Sequence, residues 1–290
     1  MGAFVPHGDL RETLLIYFDA LRQRVITDNG EWTVKGFIDV YRRVYTISLD
    51  TKVLSKVLEL LMLPVITQFA DDHSYEVVLA RAQNQYPDVS LISKDDPDVC
   101  YALDIKTTYR TKPDKQDNMR VSGMTLGTFG GYFRTRNRPM SSTFAYDRYS
   151  KHYVLGVVYS RATDVDEGLI YHVNQLDGIP SVAHDFVFFL HEKYRIASDG
   201  TGSGNTKNIG STKYLERLLA GTGVFAKLGV DVFDDYWMNY RTRAMAREEG
   251  FAEPPYTNLK SYRAYKQRGQ QILQLPEDAI YSEADDANEE

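Results

Sequence analysis

Cysteine is almost missing from this chain, whose 290 residues include one, Cys100. An intrachain disulfide and a multi-cysteine zinc site are both excluded, and a reducing compartment, the cytoplasm, is the expected setting. Long apolar runs are scarce as well. The most apolar stretch, residues 57–65, falls far short of the ~20 residues that span a bilayer. No basic segment at the N-terminus leads into an apolar one, so neither a membrane span nor a secretory signal is expected. The order G-x-x-x-x-G-K-[ST] does not occur, there is no G-x-S-x-G elbow, and none of the six histidines stands four residues from another. These gaps argue against a P-loop ATPase, a serine hydrolase and a helical zinc site. His152, His172, His184 and His191 therefore read as structural.

What is present suits a folded chain, with 43% apolar and 26% charged residues. No repeat or Pro/Gly/Ser-rich linker divides it, so one domain over residues 1–275 is expected, followed by an acidic, disordered tail at 276–290. Seven of the 40 acids lie in that tail, which leaves the rest nearly neutral despite a net charge of −6. Between Lys106 and Lys151 ten Lys and Arg face three Asp. Such a basic segment fits either an anionic partner such as nucleic acid or an ordinary solvated face.

Apolar spacing supplies the elements. Asp9 caps a helix carrying Leu10, Leu14, Leu15, Phe18 and Leu21 at intervals of three and four. Asp50 caps another, with Val53, Leu54, Val57, Leu58, Leu61 and Met62 on one side, which Pro64 is expected to stop. The period then changes to two over 75–79, 88–92 and 99–108, a β-meander, with further strands at 153–160 and 186–190 and a helix around 232–245. A mixed α/β fold follows. Gly123, Gly127, Gly130 and Gly131 around Phe129 read as an ordinary flexible turn.

The informative element is Tyr86-Pro87-Asp88 followed, sixteen residues after Asp88, by Asp104-Ile105-Lys106. Strand alternation puts Asp104 and Lys106 on one face, with Leu103 and Ile105 on the other. If the turn at 93–98 pairs Ile92 with Cys100, constant antiparallel register sets Asp88 opposite Asp104. Two carboxylates sharing a site repel unless a cation lies between them, and hard oxygen ligands favour Mg²⁺, which completes its shell with phosphate oxygens. A phosphodiester substrate fits, with Lys106 placed to orient or deprotonate water and to offset transition-state charge. An exposed ion pair on a half-buried strand is the competing reading. The segment Gly200–Gly210 is glycine-dense, and its Asn205 has the amide that pairs with adenine in a major groove; it also fits a plain surface loop.

Together, Asp50-Thr51-Lys52-Val53-Leu54-Ser55, Gln83-Asn84-Gln85-Tyr86-Pro87-Asp88, Asp104-Ile105-Lys106-Thr107-Thr108-Tyr109, Gly202-Ser203-Gly204-Asn205-Thr206 and Asp235-Tyr236-Trp237 resemble the EcoRV-like type II restriction endonucleases of the PD-(D/E)xK superfamily in order and approximate spacing. The resemblance implies a mixed β-sheet flanked by helices and a U-shaped homodimer that clamps duplex DNA and cuts each strand of a palindrome with Mg²⁺. It implies Asp88 and Asp104 as metal ligands with Ile105, Lys106 as the catalytic lysine, and Glu59 as an auxiliary acid at the metal. Gly202, Ser203, Gly204, Asn205 and Thr206 match a major-groove recognition loop, and Gln83 and Asn84 a minor-groove and backbone loop. Thr51, Thr107 and Thr108 match DNA contacts beside the active site. GATATC, cut bluntly at its centre, is the implied target, and a cognate DNA methyltransferase the implied cellular companion. The stretch Thr128-Phe129-Gly130-Gly131 departs from the family pattern. Two other classes stay open: a structure-specific repair nuclease with the same metal site, and a non-catalytic sequence-specific DNA-binding protein.

Overall fold

A computed structural model describes residues 9–82, 84–163, 168–202 and 207–268. The expectations for Gln83, for Ser203, Gly204, Asn205 and Thr206, and for the acidic tail lie outside the described residues. In chain order the helices and strands are α1 (Leu10–Leu15), α2 (Phe18–Val25), β1 (Gly36–Ile38), β2 (Arg43–Thr46), α3 (Thr51–Asp72), β3 (Tyr75–Leu79), β4 (Val89–Ser93), β5 (Cys100–Thr111), β6 (Arg120–Val121) and β7 (Thr125–Thr128). After these come β8 (Lys151–Arg161), β9 (Ile170–His172), β10 (Ala183–Glu192), α4 (Lys193–Ile196), β11 (Ala197–Thr201), β12 (Asn208–Ser211), α5 (Leu215–Ala220), α6 (Val230–Asn239), α7 (Arg243–Glu248) and α8 (Leu259–Gln267).

The central sheet runs β10-β8-β5-β4-β3, with β6 added to the far end of β5. The meander β3-β4-β5 is antiparallel, as the period-two segments predict, and Ile92 pairs with Cys100. By contrast β8 runs parallel to β5, from Tyr101 against Lys151 to Tyr109 against Tyr159. A parallel neighbour needs a long crossover, here the chain between β5 and β8, and no local pattern announces it. Both faces of the sheet are covered. Cys100, Ala102, Val154 and Val158 enter a core rich in aromatics from Phe129, Tyr146, Phe233, Tyr236 and Trp237. Leu103, Ile105, Leu155 and Val157 face the opposite core, built on α1, α2 and α3. This alternation puts Asp104 and Lys106 on the aromatic side, as strand geometry requires. Gly156, opposite Lys106, makes room for a ring: a Cβ there would lie 1.9 Å from Phe189.

Three helices differ from their sequence reading, and the one expected around 232–245 is two, α6 and α7, parted by residues 240–242. The helix capped by Asp9 is broken into α1 and α2, because Ile16 and Tyr17 donate to carbonyls three residues back rather than four. Tyr17 then turns onto Phe69, edge to face at 5.3 Å. Helix α3 passes through Pro64 to Asp72. The carbonyl that Pro64 cannot bond belongs to Leu60, on the exposed side, while Val65, Ile66, Phe69 and Ala70 carry the buried face onward. Its 22 residues make α3 long and apolar enough to cross a membrane, which the shorter stretch in the sequence did not suggest. Here its apolar side packs against the central sheet.

Two small sheets complete the fold. One is β1-β2-β9 and the other β11-β12-β7. Gly130 and Gly131 lie in a turn as expected, but Gly127 is within the strand Thr125–Thr128, and Phe129 is buried 5.2 Å from Trp237. Gly127 has φ +97°, and a side chain there would strike the Tyr132 hydroxyl.

Candidate active site

Asp88 sits one residue before β4, so the register that pairs Val89 with Leu103 leaves it beside Asp104. The Ile105 N–H donates to Asp88 Oδ2 at 2.7 Å, which fixes the carboxylate against β5. Lys106 Nζ lies 2.7 Å from Asp104 Oδ2 and 3.7 Å from Asp88 Oδ2, and donates to the Ile105 carbonyl at 3.4 Å. Asp104 is nearly buried, whereas Asp88 and Lys106 keep about a quarter of their side chains exposed, 24% and 25%. Burial and the Asp104 charge push Asp88 up to about 7, against the lowering pull of Lys106 and the Ile105 N–H. For Lys106, burial alone would lower the pKa, but Asp104 and Asp88 outweigh it and the ammonium is held more firmly.

Three oxygens of different origin, two carboxylate and one carbonyl, thus converge on a single positive atom. The buried Oδ2 of Asp104 has the Lys106 ammonium at 2.7 Å as its counter-charge. An all-oxygen set of this kind suits a hard divalent cation, with water and substrate oxygens completing the shell. Among the described residues no three His, Cys, Asp or Glu side chains gather as a metal-holding group. Glu59 is outside the pair: its carboxylate binds Lys56 at 2.6 Å, although its charge still contributes to raising Asp88.

Asp88, with Ile105 beside it, lines a cleft of about 790 Å³ whose wall includes Thr51, Lys52, Ser55, Glu59 and Arg81. Thr51 is the first residue of α3, exposed in the cleft wall, and Asn84 is exposed on the turn before Tyr86. Thr107 hydrogen-bonds Ser55 and so ties the catalytic strand to α3. Thr108 falls on the same face of β5 as Asp104 and Lys106, but it is buried, and its hydroxyl has no partner among the described residues. A phosphate could not reach it there. Gly202 directly follows β11, and its N–H donates to the Asn208 carbonyl at 2.9 Å. A Cβ on Gly202 would press on Thr125 at 2.7 Å, so Gly202 itself packs directly on β7.

Residues 28–267 match the family model described as Restriction endonuclease EcoRV. The chain is also 35% identical to the type II restriction enzyme EcoRV of Escherichia coli over 244 residues, covering 83% of this chain and 94% of that protein. The chain belongs to the EcoRV restriction endonuclease family. It is therefore a DNA-binding hydrolase that cleaves DNA, and nucleases of the EcoRV kind generally depend on a divalent metal. The mixed sheet flanked by helices fits a restriction-endonuclease-like fold.

For an EcoRV-family site, the sequence reading missed the cationic wall formed by Lys52, Lys56 and Arg81. A signal was available on α3, where Thr51, Lys52, Ser55, Lys56 and Glu59 recur at three and four and so share a face. It also missed what lies beneath the acids: Tyr86, Tyr132, Tyr146 and His152 stack together, with Tyr146 and His152 centroids 3.8 Å apart.

Proposed function

We propose that this chain is a type II site-specific deoxyribonuclease that hydrolyses duplex DNA at a palindrome, GATATC with a blunt central cut, using Mg²⁺. The observation that carries the reading is the convergence of Asp88, Asp104 and the Ile105 carbonyl on Lys106 Nζ. Those oxygens would hold the ion, which when bound supplies positive charge at the scissile phosphate and a more acidic attacking water. Lys106, kept protonated by both carboxylates, orients that water and offsets charge as the new oxygen–phosphorus bond forms and the leaving oxygen departs. Asp104, pinned at low exposure, fixes the position of the ammonium. Lys52, Lys56 and Arg81 give the cleft the positive lining that a phosphate backbone requires. Thr51 and Thr107 border the backbone path, Gln83 and Asn84 approach the minor groove, and Gly202 to Thr206 read the major groove. Glu59 serves as the auxiliary acid of the cleft wall.

The working unit in this reading is a U-shaped homodimer in the cytoplasm, each subunit cutting one strand, with a cognate methyltransferase protecting the host site. Residues 1–275 form its catalytic and recognition domain, and 276–290 its acidic tail. An exposed apolar face supports the dimer: Phe37, Ile38, Val40 and Tyr41 on and beside β1, with Ile170 on β9, are all more than half exposed, Val40 at 90%. Apolar residues gathered at that exposure mark an interaction surface. A central TA step unstacks readily, which lowers the cost of bending at GATATC.

A plasmid digest with Mg²⁺ and sequenced fragment ends tests the reading. Blunt ends within GATATC are expected, while ends at another sequence would revise the target and ends tied to junctions or damage would favour a repair nuclease. Asp104→Ala should lower cleavage by about a thousandfold or more with DNA binding retained; undiminished cleavage would remove the acid pair from the mechanism.

A further inference from the structure

Against the ring of Tyr86, two residues before Asp88, lies a lysine that neither the sequence reading nor the nuclease mechanism uses. Lys193, the first residue of α4, is 2% exposed, and its Nζ has no hydrogen-bond partner among the described residues. The Nζ stands 4.0 Å from the centroid of Tyr86, 5.3 Å from Tyr146 and 5.9 Å from Tyr132. Tyr86 and Tyr132 are themselves stacked, with centroids 4.6 Å apart, and Tyr86 precedes Asp88 by two residues. Asp104 and then Lys106 are the charged groups that act most strongly on this amine, followed by Asp234 and Arg136. Burial and the neighbouring cations outweigh the carboxylates and bring Lys193 down to about 7.

We propose that Lys193 is a positioning residue of the nuclease site, whose positive end, sealed in a three-tyrosine cage, opposes the divalent cation that Asp88 and Asp104 attract. A purely packing role does not account for it. Methionine would fill similar volume without desolvating an amine, and ring faces return only part of that desolvation cost. Nor does the amine satisfy a buried acceptor. What it does have is a field directed at Asp104 through a poorly screening aromatic layer, where charges act more strongly than in water. When all four are ionised, Asp88 and Asp104 with Lys106 and Lys193 amount to two charges of each sign, so the site's attraction for a cation depends on the rear amine. Lys193 acts through Asp104 and does not touch substrate.

The inference rests on the reading that the acid pair binds a divalent cation, and Mn²⁺ binding to the full chain without DNA separates the two. Binding would be measured at one fixed pH by electron paramagnetic resonance for wild type, Lys193→Met, Lys193→Arg and Asp104→Asn. Lys193→Met is expected to bind Mn²⁺ about three- to tenfold more tightly, as loss of a nearby like charge requires, with Lys193→Arg close to wild type. If Asp104→Asn loses the ion while Lys193→Met binds it equally or more weakly, Lys193 is packing alone and the inference is overturned. If wild type binds no Mn²⁺, or Asp104→Asn binds it as well as wild type does, the acid-pair reading fails first and this one with it. Should Lys193→Met fail to fold, the Lys193 ¹³Cε resonance, identified by its loss in Lys193→Arg, decides the matter. Mg²⁺ should shift it in wild type and leave it in place in Asp104→Asn; no shift in wild type would overturn the proposal.

Discussion

Asp88 joins two elements of the site at the cost of its own ionisation. Burial and the Asp104 charge raise it to about 7, against an ordinary value of 3.8. Between these values the native chain holds a proton that the unfolded chain has released, so stability falls as pH rises through that window. Below about 4 both states are protonated, above about 7 both are ionised, and in either range the slope from this group vanishes. We expect the melting temperature of the metal-free protein to decline from about pH 4 to 7 and Asp88→Asn to flatten that decline. Thermal unfolding in the presence of a chelator checks it; an undiminished slope in the variant would assign the proton to another group. Asp88, Asp104 and Lys106 were legible in sequence because strand alternation and antiparallel register are local rules. Lys193 was not, because its partners come from residues 86, 132 and 146, and an isolated lysine in a sequence reads as solvated surface.

Helix α3 shows how packing overrides a local stop signal. Pro64 lacks the N–H that would bond Leu60, yet the helix runs on to Asp72, since the buried face from Val65 to Ala70 supplies the apolar contacts that hold it. Pro64→Ala restores that hydrogen bond on an exposed face, although it also frees the unfolded chain. A net gain of about 1 kcal/mol is expected, measured by urea unfolding; a loss would mean that the proline is required where it stands. The strands were read more faithfully than the helices. Tyr75–Leu79 appears with the bounds that its alternation predicts, and β4, β5, β8 and β10 differ from their predicted spans only at the ends. Short strands β7, β11 and β12 escaped notice, because glycine-rich segments of four or five residues have too little apolar periodicity to register.

For the molecule as a whole, two surfaces carry the proposed function. The apolar face of β1-β2-β9 is proposed as the dimer contact, and Ile38→Asp places a charge in it. Sedimentation should then show monomer where wild type is dimeric, with supercoiled plasmid nicked rather than linearised. Wild-type dimers persisting in the variant would direct the search to another face. On the DNA side, Asn205→Ala should weaken discrimination of the target by ~1 to 3 kcal/mol per lost bidentate contact, with metal chemistry intact. Cleavage competition between GATATC and single-substituted sites measures it, and unchanged preference would take Asn205 out of base reading. The sequence by itself determined the acid pair, the lysine beside it, the meander that carries them and the family, since each depends on residue type and near-neighbour spacing. Only the tertiary structure decided that β8 lies parallel to β5, that Glu59 stands apart from the acids, that Thr108 is buried and that Lys193 is buried against Tyr86. Those outcomes depend on which distant segments share a core, and chain closure over tens of residues leaves no periodic trace in the residues themselves.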